Sequence, residues 1–305
     1  MQRKPGGIPT ILVTGSNGQV GFELRRSLAT LGRVLALDRG GCDLSNPDAI
    51  RGVVRRVRPD VIVNPAAYTA VDKAESEAAL AFAINGAAPG VLAEEARALG
   101  SLLVHYSTDY VFAGIGHAPY TEADAVGPLS VYGKSKLAGE QAIETAGAAA
   151  IVLRTCWVAG AHGGNFAKTM LKLGRERDSL RVVADQYGAP TTAALIADVT
   201  AHIVDRAWLH SDREAFPAGV YHLAASGETS WHGYAVEVLR YAKSKGVALK
   251  VDPDAIEAIP ASAYPLPAPR PANSRLDTRK LRDTFDINLP EWQQGVRHLL
   301  DQILS

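Results

Sequence analysis

Tyr132 and Lys136 stand four residues apart in the run Tyr132-Gly133-Lys134-Ser135-Lys136, a spacing that puts both on one face of a helix. A lysine cation beside a phenol favours the phenolate, so it is expected to lower the Tyr132 pKa from the usual value of about 10. A phenol tuned in this way can hand a proton to a carbonyl oxygen as a hydride reaches the carbonyl carbon. A hydride source is suggested far upstream by Gly15-Ser16-Asn17-Gly18-Gln19-Val20-Gly21. Glycines there permit a tight turn and let the backbone approach a pyrophosphate, which then rests on a helix N-terminus. Between the two motifs lies Ser107-Thr108-Asp109, where the Thr108 hydroxyl can bond a substrate oxygen and the phenol together. In this order the three motifs point to a nicotinamide-dependent enzyme acting at a carbinol or ketone.

The cofactor reading extends to other residues. Asp38 closes an apolar run 20 residues after Gly18, where an acid binds the adenosine ribose hydroxyls and favours NAD over NADP. Arg39 follows directly and can pair with a 2′-phosphate, so NADPH and NADH both remain candidate cofactors. Asp43 and Leu44 are expected on the adenine side. Asn64-Pro65-Ala66-Ala67-Tyr68-Thr69 ends another apolar run, and its small alanines let the backbone pass close under a cofactor.

Elements must position these groups. Apolar runs at Thr10–Thr14, Arg33–Asp38, Asp60–Asn64, Leu102–Ser107 and Ala149–Thr155 read as strands. Helical patterns separate them: Gln19–Leu31, a helix starting at Asn46-Pro47 and running to about Arg58, an alanine-rich stretch from Glu75 to Leu99 broken near Gly86, and Val131–Thr145. Strand and helix in alternation predict a parallel sheet covered on both faces. After Trp157 the pattern predicts a helix over Asn165–Glu176, strands at Leu180–Val183 and Gly219–Leu223, and helices at Ala193–Arg206, Ser230–Ser244 and Pro290–Leu304. The proline-rich Pro260–Pro271 segment is neither helix nor central strand, and reads as an extended clasp. The fold class is α/β: a Rossmann-type doubly wound parallel sheet with a smaller α/β substrate domain. The cofactor domain is expected to span 10–156, with 192–207 returning to it; the substrate domain is expected to take 157–191 and 208–300.

The chain has 305 residues, with 32 Lys and Arg against 32 Asp and Glu. That balance argues against a nucleic-acid or membrane-surface binder. Cys42 and Cys156, the two cysteines, make neither a disulfide framework nor a metal cluster. The short basic start, Met1–Pro9, has no apolar core behind it and is not expected to be a secretory signal. No apolar run approaches the roughly 20 residues of a membrane span, and a cytoplasmic location is expected.

Gly15-x-x-Gly18-x-x-Gly21, Ser107-Thr108-Asp109 and Tyr132-x-x-x-Lys136 together resemble the extended short-chain dehydrogenase/reductase superfamily. Longer blocks sharpen this: Asn64 to Glu75, His105 to Phe112, Asp185-Gln186-Tyr187-Gly188-Ala189-Pro190-Thr191, and Arg270-Pro271-x-Asn273-Ser274-x-Leu276. These are similar to the dTDP-4-dehydrorhamnose reductase family. The resemblance implies NAD(P)H reduction of the C4 ketone of dTDP-4-dehydro-L-rhamnose to dTDP-L-rhamnose, a cell-surface sugar donor. It places Gly18, Gln19 and Val20 on the pyrophosphate, Asp38 on the ribose, and Asp43 and Leu44 by the adenine. Ala67, Tyr68 and Thr69 would line the nicotinamide side. Thr108 and Asp109 would face the sugar, Tyr132 would be the acid, and Lys136 its partner and a holder of the nicotinamide ribose. Trp157 falls where the family has a tryptophan near the sugar nucleotide. Asn165, Lys168 and Arg270 are candidate polar contacts to the nucleotide diphosphate, Arg270 foremost because guanidinium matches phosphate in a fork.

Some members of the family are thought to dimerise around magnesium held by carboxylates. Glu23 keeps one such position, but Ala194 and Gln293 stand at the others and offer no hard anionic oxygen. No metal is therefore expected, and the chain should be a monomer or a metal-independent homodimer. Two rivals share much of this pattern. A sugar-nucleotide dehydratase would carry a glutamate where Tyr110 stands, and an epimerase would work on the same scaffold. A non-catalytic, NAD(P)-binding regulatory subunit would not need Thr108, Tyr132 and Lys136 together.

Overall fold

Five segments alternate residues between two buried faces, and they make the centre of the molecule. A computed structural model describes residues 7–305. Residues 1–6, on which the expectation about a secretory leader partly rests, lie outside the described residues. β1 (Thr10–Val13), α1 (Gln19–Ser27), β2 (Arg33–Ala36), α2 (Pro47–Val57) and β3 (Val61–Asn64) come first. α3 (Val71–Ala74), α4 (Ala78–Phe82), α5 (Ala88–Leu99), β4 (Leu102–Thr108), α6 (Val131–Ala146) and β5 (Ala150–Thr155) complete the first half. All sheet pairs among these strands are parallel, in the order β5-β4-β3-β1-β2.

The alternation shows directly in the packing. Ile11, Val13, Val61, Val63, Leu102, Val104, Ile151 and Leu153 face one core, which α1 closes through Leu24 and the residue that follows the helix, Leu28. Leu12, Ile62, Leu103, Ala150 and Val152 face the other, closed by Ile50 and Val54 of α2, Leu92 of α5 and Ile143 of α6. Both faces are dry, as a parallel sheet requires. α2 begins as its sequence predicts: Asn46 caps the amides of Asp48 and Ala49, with Pro47 at the first helical position.

The second half runs β6 (Val158–Ala159), α7 (Phe166–Glu176), β7 (Arg181–Val183), β8 (Tyr187–Gly188), β9 (Thr191–Thr192), α8 (Ala193–Ile203), β10 (Gly219–His222), β11 (Thr229–Ser230), α9 (Trp231–Ser244), β12 (Glu257–Ile259), α10 (Arg279–Phe285) and α11 (Trp292–Leu304). A second core joins α7, α9 and α11 through Met170, Leu171, Tyr234, Val238, Leu239, Val296 and Leu300. α8 instead packs with α1 on the main sheet through Ile196, Val199 and Ile203.

One boundary differs from the sequence reading. The strand at 219–222, placed with the substrate domain in 208–300, pairs in parallel with β5 and becomes the sixth strand of the main sheet. α10 follows it there, with Leu281 and Phe285 in the main-sheet core. The reason is chemical: β5 is buried at all six positions, and an unpaired edge beside it would leave buried backbone amides unsatisfied.

Candidate active site

The glycine turn is held by close backbone approach. Gly15 has a φ of 56°, and a Cβ there would sit 2.8 Å from the Cβ of Ala66, just past β3. A Cβ on Gly21 would lie 2.1 Å from the carbonyl oxygen of Gly15. Only glycine lets α1 begin this near the strand end. No side chain caps the N-terminus of α1, so its first amides are free for an anion such as a pyrophosphate. This cradle fits a dinucleotide cofactor.

Around the turn, Asp38 follows β2 and accepts hydrogen bonds from Asn17 Nδ2 and the Gly41 amide, each at 3.1 Å. Arg39 is well exposed. Asp43 accepts from the Ser45 amide and hydroxyl at 3.0 and 2.7 Å, and those bonds keep its carboxyl below the usual range. Leu44 is buried in the main core, so only its backbone can face a cofactor. Val20 packs on the opposite core face.

The Gln19 side chain does more than line the turn. Its Oε1 accepts from the Gly160 amide at 2.8 Å and from Asn165 Nδ2 at 3.0 Å. His162 stacks on Phe22 with ring centroids 4.5 Å apart. A strap of residues 160–165 thus lies over the start of α1. Asn165 and Lys168, read from sequence as diphosphate contacts, serve that strap. Asn165 caps α7 at the Lys168 amide and donates to the Gly160 carbonyl. The Lys168 ammonium donates to the carbonyls of Ala161 and Gly163. A cation so near two bare carbonyls takes them as acceptors, which is why these polar ends turn to the protein.

At the carboxyl edge of the sheet, Thr108 ends β4 and is in register with Thr155 of β5. Its Oγ1 donates to Asp109 Oδ1 at 3.0 Å and accepts from the Tyr110 amide at 3.2 Å. Burial raises the Asp109 carboxyl to about 6. Ser107 Oγ and Thr155 Oγ1 are buried without a protein partner, and the second Asp109 oxygen has only a loose contact with the Ser274 hydroxyl, so this edge carries unused hydrogen-bonding capacity. α6 brings Tyr132 to the same place. Its first turn is capped twice, by Ser130 Oγ on the Gly133 amide at 3.1 Å and by Glu75 Oε1 on the Val131 amide at 2.9 Å. Tyr110 packs edge-on against the Tyr132 ring at 5.5 Å.

The electrostatics overturn one expectation. Lys136 does not depress the Tyr132 phenol; burial, aided by the Asp109 charge, pushes it up to about 12, against a pull from the Thr108 hydroxyl. The Lys136 ammonium is bound elsewhere, donating to the Tyr106 carbonyl at 2.6 Å. Burial lowers Lys136 to about 8. The phenol is therefore fully protonated at neutral pH, the form a proton donor needs.

A tight mesh surrounds this pair. Asn85 lies on a π-helical turn, Ala83–Ala87, between α4 and α5. Its amide accepts from the Tyr68 amide at 2.8 Å and donates to the Tyr68 carbonyl and to Ser135 Oγ, each at 3.0 Å. It ties the Ala67-Tyr68-Thr69 loop to α6, one residue from Lys136. The break near Gly86 is this turn. Sequence reading missed Asn85, although a lone buried amide beside a helix break is a signal of such a brace.

On the far side, Trp157 has a φ of 47° and stacks on Trp231 with centroids 3.7 Å apart; a Cβ on Gly188 would come within 2.7 Å of its ring. Arg270, the foremost diphosphate candidate, donates to Asp72 Oδ2 at 2.8 Å and to the Ala268 carbonyl at 3.1 Å. That ion pair fastens the proline-rich segment to α3. The structure thus brings Thr108, Asp109, Tyr132 and Lys136 together at one sheet edge, with the glycine turn on the same crevice.

Comparison with known proteins agrees with this geometry. The profile of the RmlD substrate binding domain family matches residues 9–305. A dTDP-4-dehydrorhamnose reductase from Salmonella typhimurium is 50% identical over 299 residues, covering 97% of this chain and 98% of that protein. The chain belongs to the dTDP-4-dehydrorhamnose reductase family. Two crystal structures of the family share its fold. The Bacillus anthracis reductase, in complex with NADP, superposes with a TM-score of 0.88 at 32% identity, covering 97% of this chain and all of that one. A Clostridium acetobutylicum reductase gives 0.87 at 36% identity, with the same coverage. Among the described residues, no cluster of three or more His, Cys, Asp or Glu side chains could hold a metal, and no helix is long and apolar enough to cross a membrane.

Proposed function

We propose that this protein reduces the C4 ketone of dTDP-4-dehydro-L-rhamnose to dTDP-L-rhamnose with NADPH or NADH, and that Tyr132 donates the proton. The observation that carries the reading is the meeting of Tyr132 with Thr108 and Asp109 at the carboxyl end of β4, the sheet edge where open α/β folds bind ligands. The nicotinamide, when bound, supplies the hydride. Gly15, Gly18, Gln19, Val20 and Gly21 seat the pyrophosphate on α1, and Asp38 receives the ribose hydroxyls. Arg39, exposed beside it, pairs with a 2′-phosphate when NADPH is used. The backbone at Asp43 and Leu44 borders the adenine, while Ala67, Tyr68 and Thr69 border the nicotinamide.

Tyr132 holds its proton until negative charge develops on the ketone oxygen, then releases it along that hydrogen bond. The Thr108 hydroxyl, turning its one hydrogen from Asp109 to the same oxygen, keeps the alkoxide in place. Lys136 supplies positive charge next to the reacting centre and a donor to the nicotinamide ribose. Asp109, with one buried oxygen only loosely held, accepts from a sugar hydroxyl, and Trp157 flanks the sugar nucleotide. The cofactor side is 10–156 with 192–207, 219–222 and 279–285; the substrate side is 157–191 with the remaining later segments. The reaction needs no metal and no membrane, takes place in the cytoplasm, and is carried out by a monomer or a metal-independent homodimer. Purified protein mixed with dTDP-4-dehydro-L-rhamnose should oxidise NADPH or NADH, seen as loss of absorbance. Cofactor binding without turnover would favour a regulatory subunit and overturn the proposal.

A further inference from the structure

Beneath the site, four buried side chains form one unbroken line of polar contacts. Thr14 follows β1, Asn64 ends β3, and His105 of β4 is the register partner of Asn64. Thr14 Oγ1 donates to Asn64 Oδ1 at 2.6 Å, Asn64 Nδ2 lies 3.1 Å from His105 Nδ1, and His105 Nε2 lies 3.2 Å from Lys136 Nζ. None of the four is more than 2% exposed.

Proton bookkeeping constrains this line. Burial and the neighbouring ammonium hold His105 well below the usual imidazole range, so the ring is neutral and carries one hydrogen. An ammonium can only donate, so Nε2 must be the bare nitrogen and the hydrogen sits on Nδ1. That hydrogen needs an acceptor, and the residue facing it is Asn64, through its side-chain amide and its backbone. A half-turn of an amide exchanges its oxygen and nitrogen without changing its shape. With the oxygen toward His105, Asn64 accepts from Nδ1–H and donates to Thr14 Oγ1, so no two hydrogens of the line point at each other.

We propose that His105 is a positioning residue for Lys136: Asn64 fixes its Nδ1–H tautomer, and the bare Nε2 holds the lysine ammonium in place. The ammonium has three hydrogens. His105 and the Tyr106 carbonyl take two of them, which aims the third and leaves it for a ligand in the site. The other charged or titratable groups near Lys136 do not do this. Glu140, one turn on along α6, acts on it through its field alone and is itself paired with Arg154 of β5 at 2.6 Å. Asp109 bonds Thr108, and Tyr132 lies one turn back on α6. The catalytic consequence rests on the reductase reading above; the tautomer does not.

Two measurements test it. In the wild-type protein labelled with 15N-histidine, with His105→Gln used to assign the signal, the expected result at pH 7 is a protonated Nδ1 and a bare Nε2. A hydrogen on Nε2, or on both nitrogens, overturns the proposal. In the keto-sugar assay, His105→Gln places an amide oxygen where Nε2 was and should keep kcat within about threefold, whereas His105→Phe, with no acceptor, should lower it at least about tenfold. KM for the sugar nucleotide should stay unchanged in both. Equal activity of the two variants, or a loss confined to KM, overturns the proposal. If the wild type oxidises no cofactor, the reductase reading fails while the tautomer still decides the His105–Lys136 contact; it also decides if His105→Phe does not fold.

Discussion

The Lys136 ammonium donates to the backbone carbonyl of Tyr106 at 2.6 Å, across from α6 to β4, and so is anchored to the sheet rather than to the phenol one turn away. Tyr132 and Lys136 thus divide the work. The phenol keeps its proton up to about 12, while the lysine, lowered by burial to about 8, is the one of the two whose charge changes nearer neutrality.

This division predicts the alkaline limb of the pH profile. Reduction should fall as pH rises through about 8, where Lys136 loses its charge and Tyr132 has not yet lost its proton. Stability moves the other way. The folded pKa lies below the unfolded value of 10.5, so the unfolded chain binds the extra proton and stability rises with pH between the two values. Steady-state rates from pH 6 to 10, with chemical denaturation over the same range, check both signs. A rate that stays flat through pH 9 would contradict the assignment.

Asp109 predicts a second pH effect. Its carboxyl is raised from 3.8 to about 6 by burial, so the stability it contributes is fully present below the lower value and lost as pH rises through the higher one. Asp109→Asn cannot ionise and escapes that loss. Relative to the wild type, the variant should gain on the order of 2–3 kcal/mol between pH 4 and pH 7. Urea denaturation of both proteins at the two pH values measures it; a difference independent of pH would show that Asp109 does not ionise in this range.

The Asn85 brace makes a third. Asn85→Ala leaves the Tyr68 amide and carbonyl and the Ser135 hydroxyl without the partner they have here. The expected cost is roughly 2–4 kcal/mol of stability, with weaker NAD(P)H binding because the Tyr68 loop is no longer tied to α6. Thermal unfolding and cofactor titration by fluorescence check the pair. A variant as stable as the wild type would remove Asn85 from the framework of the site.

Much of this architecture is local and therefore readable from the chain. The strands betray themselves by apolar runs such as Thr10–Val13 and Val61–Asn64, and α2 by Asn46-Pro47. The glycine turn is readable because backbone approach at Gly15 and Gly21 admits no other residue. What escaped was set by distant partners. His105 meets Lys136 across 31 positions, Asn85 meets Ser135 across 50, and Glu75 caps α6 across 56; single polar residues in such pairs leave no pattern in sequence. Asn165, Lys168 and Arg270 have the right chemistry for phosphate, and their polar ends bond backbone carbonyls and Asp72. The same competition turned Lys136 from the phenol to β4.

The central claim is that Tyr132 delivers the proton, and Tyr132→Phe tests it most directly. Removing one hydroxyl keeps the ring, its edge contact with Tyr110 and the glycine turn, so NADPH should bind as tightly as to the wild type. Turnover of dTDP-4-dehydro-L-rhamnose, followed by NADPH absorbance at pH 7, should fall about a hundredfold or more. Turnover within a few-fold of the wild type would contradict the account and move the proton donor to another group.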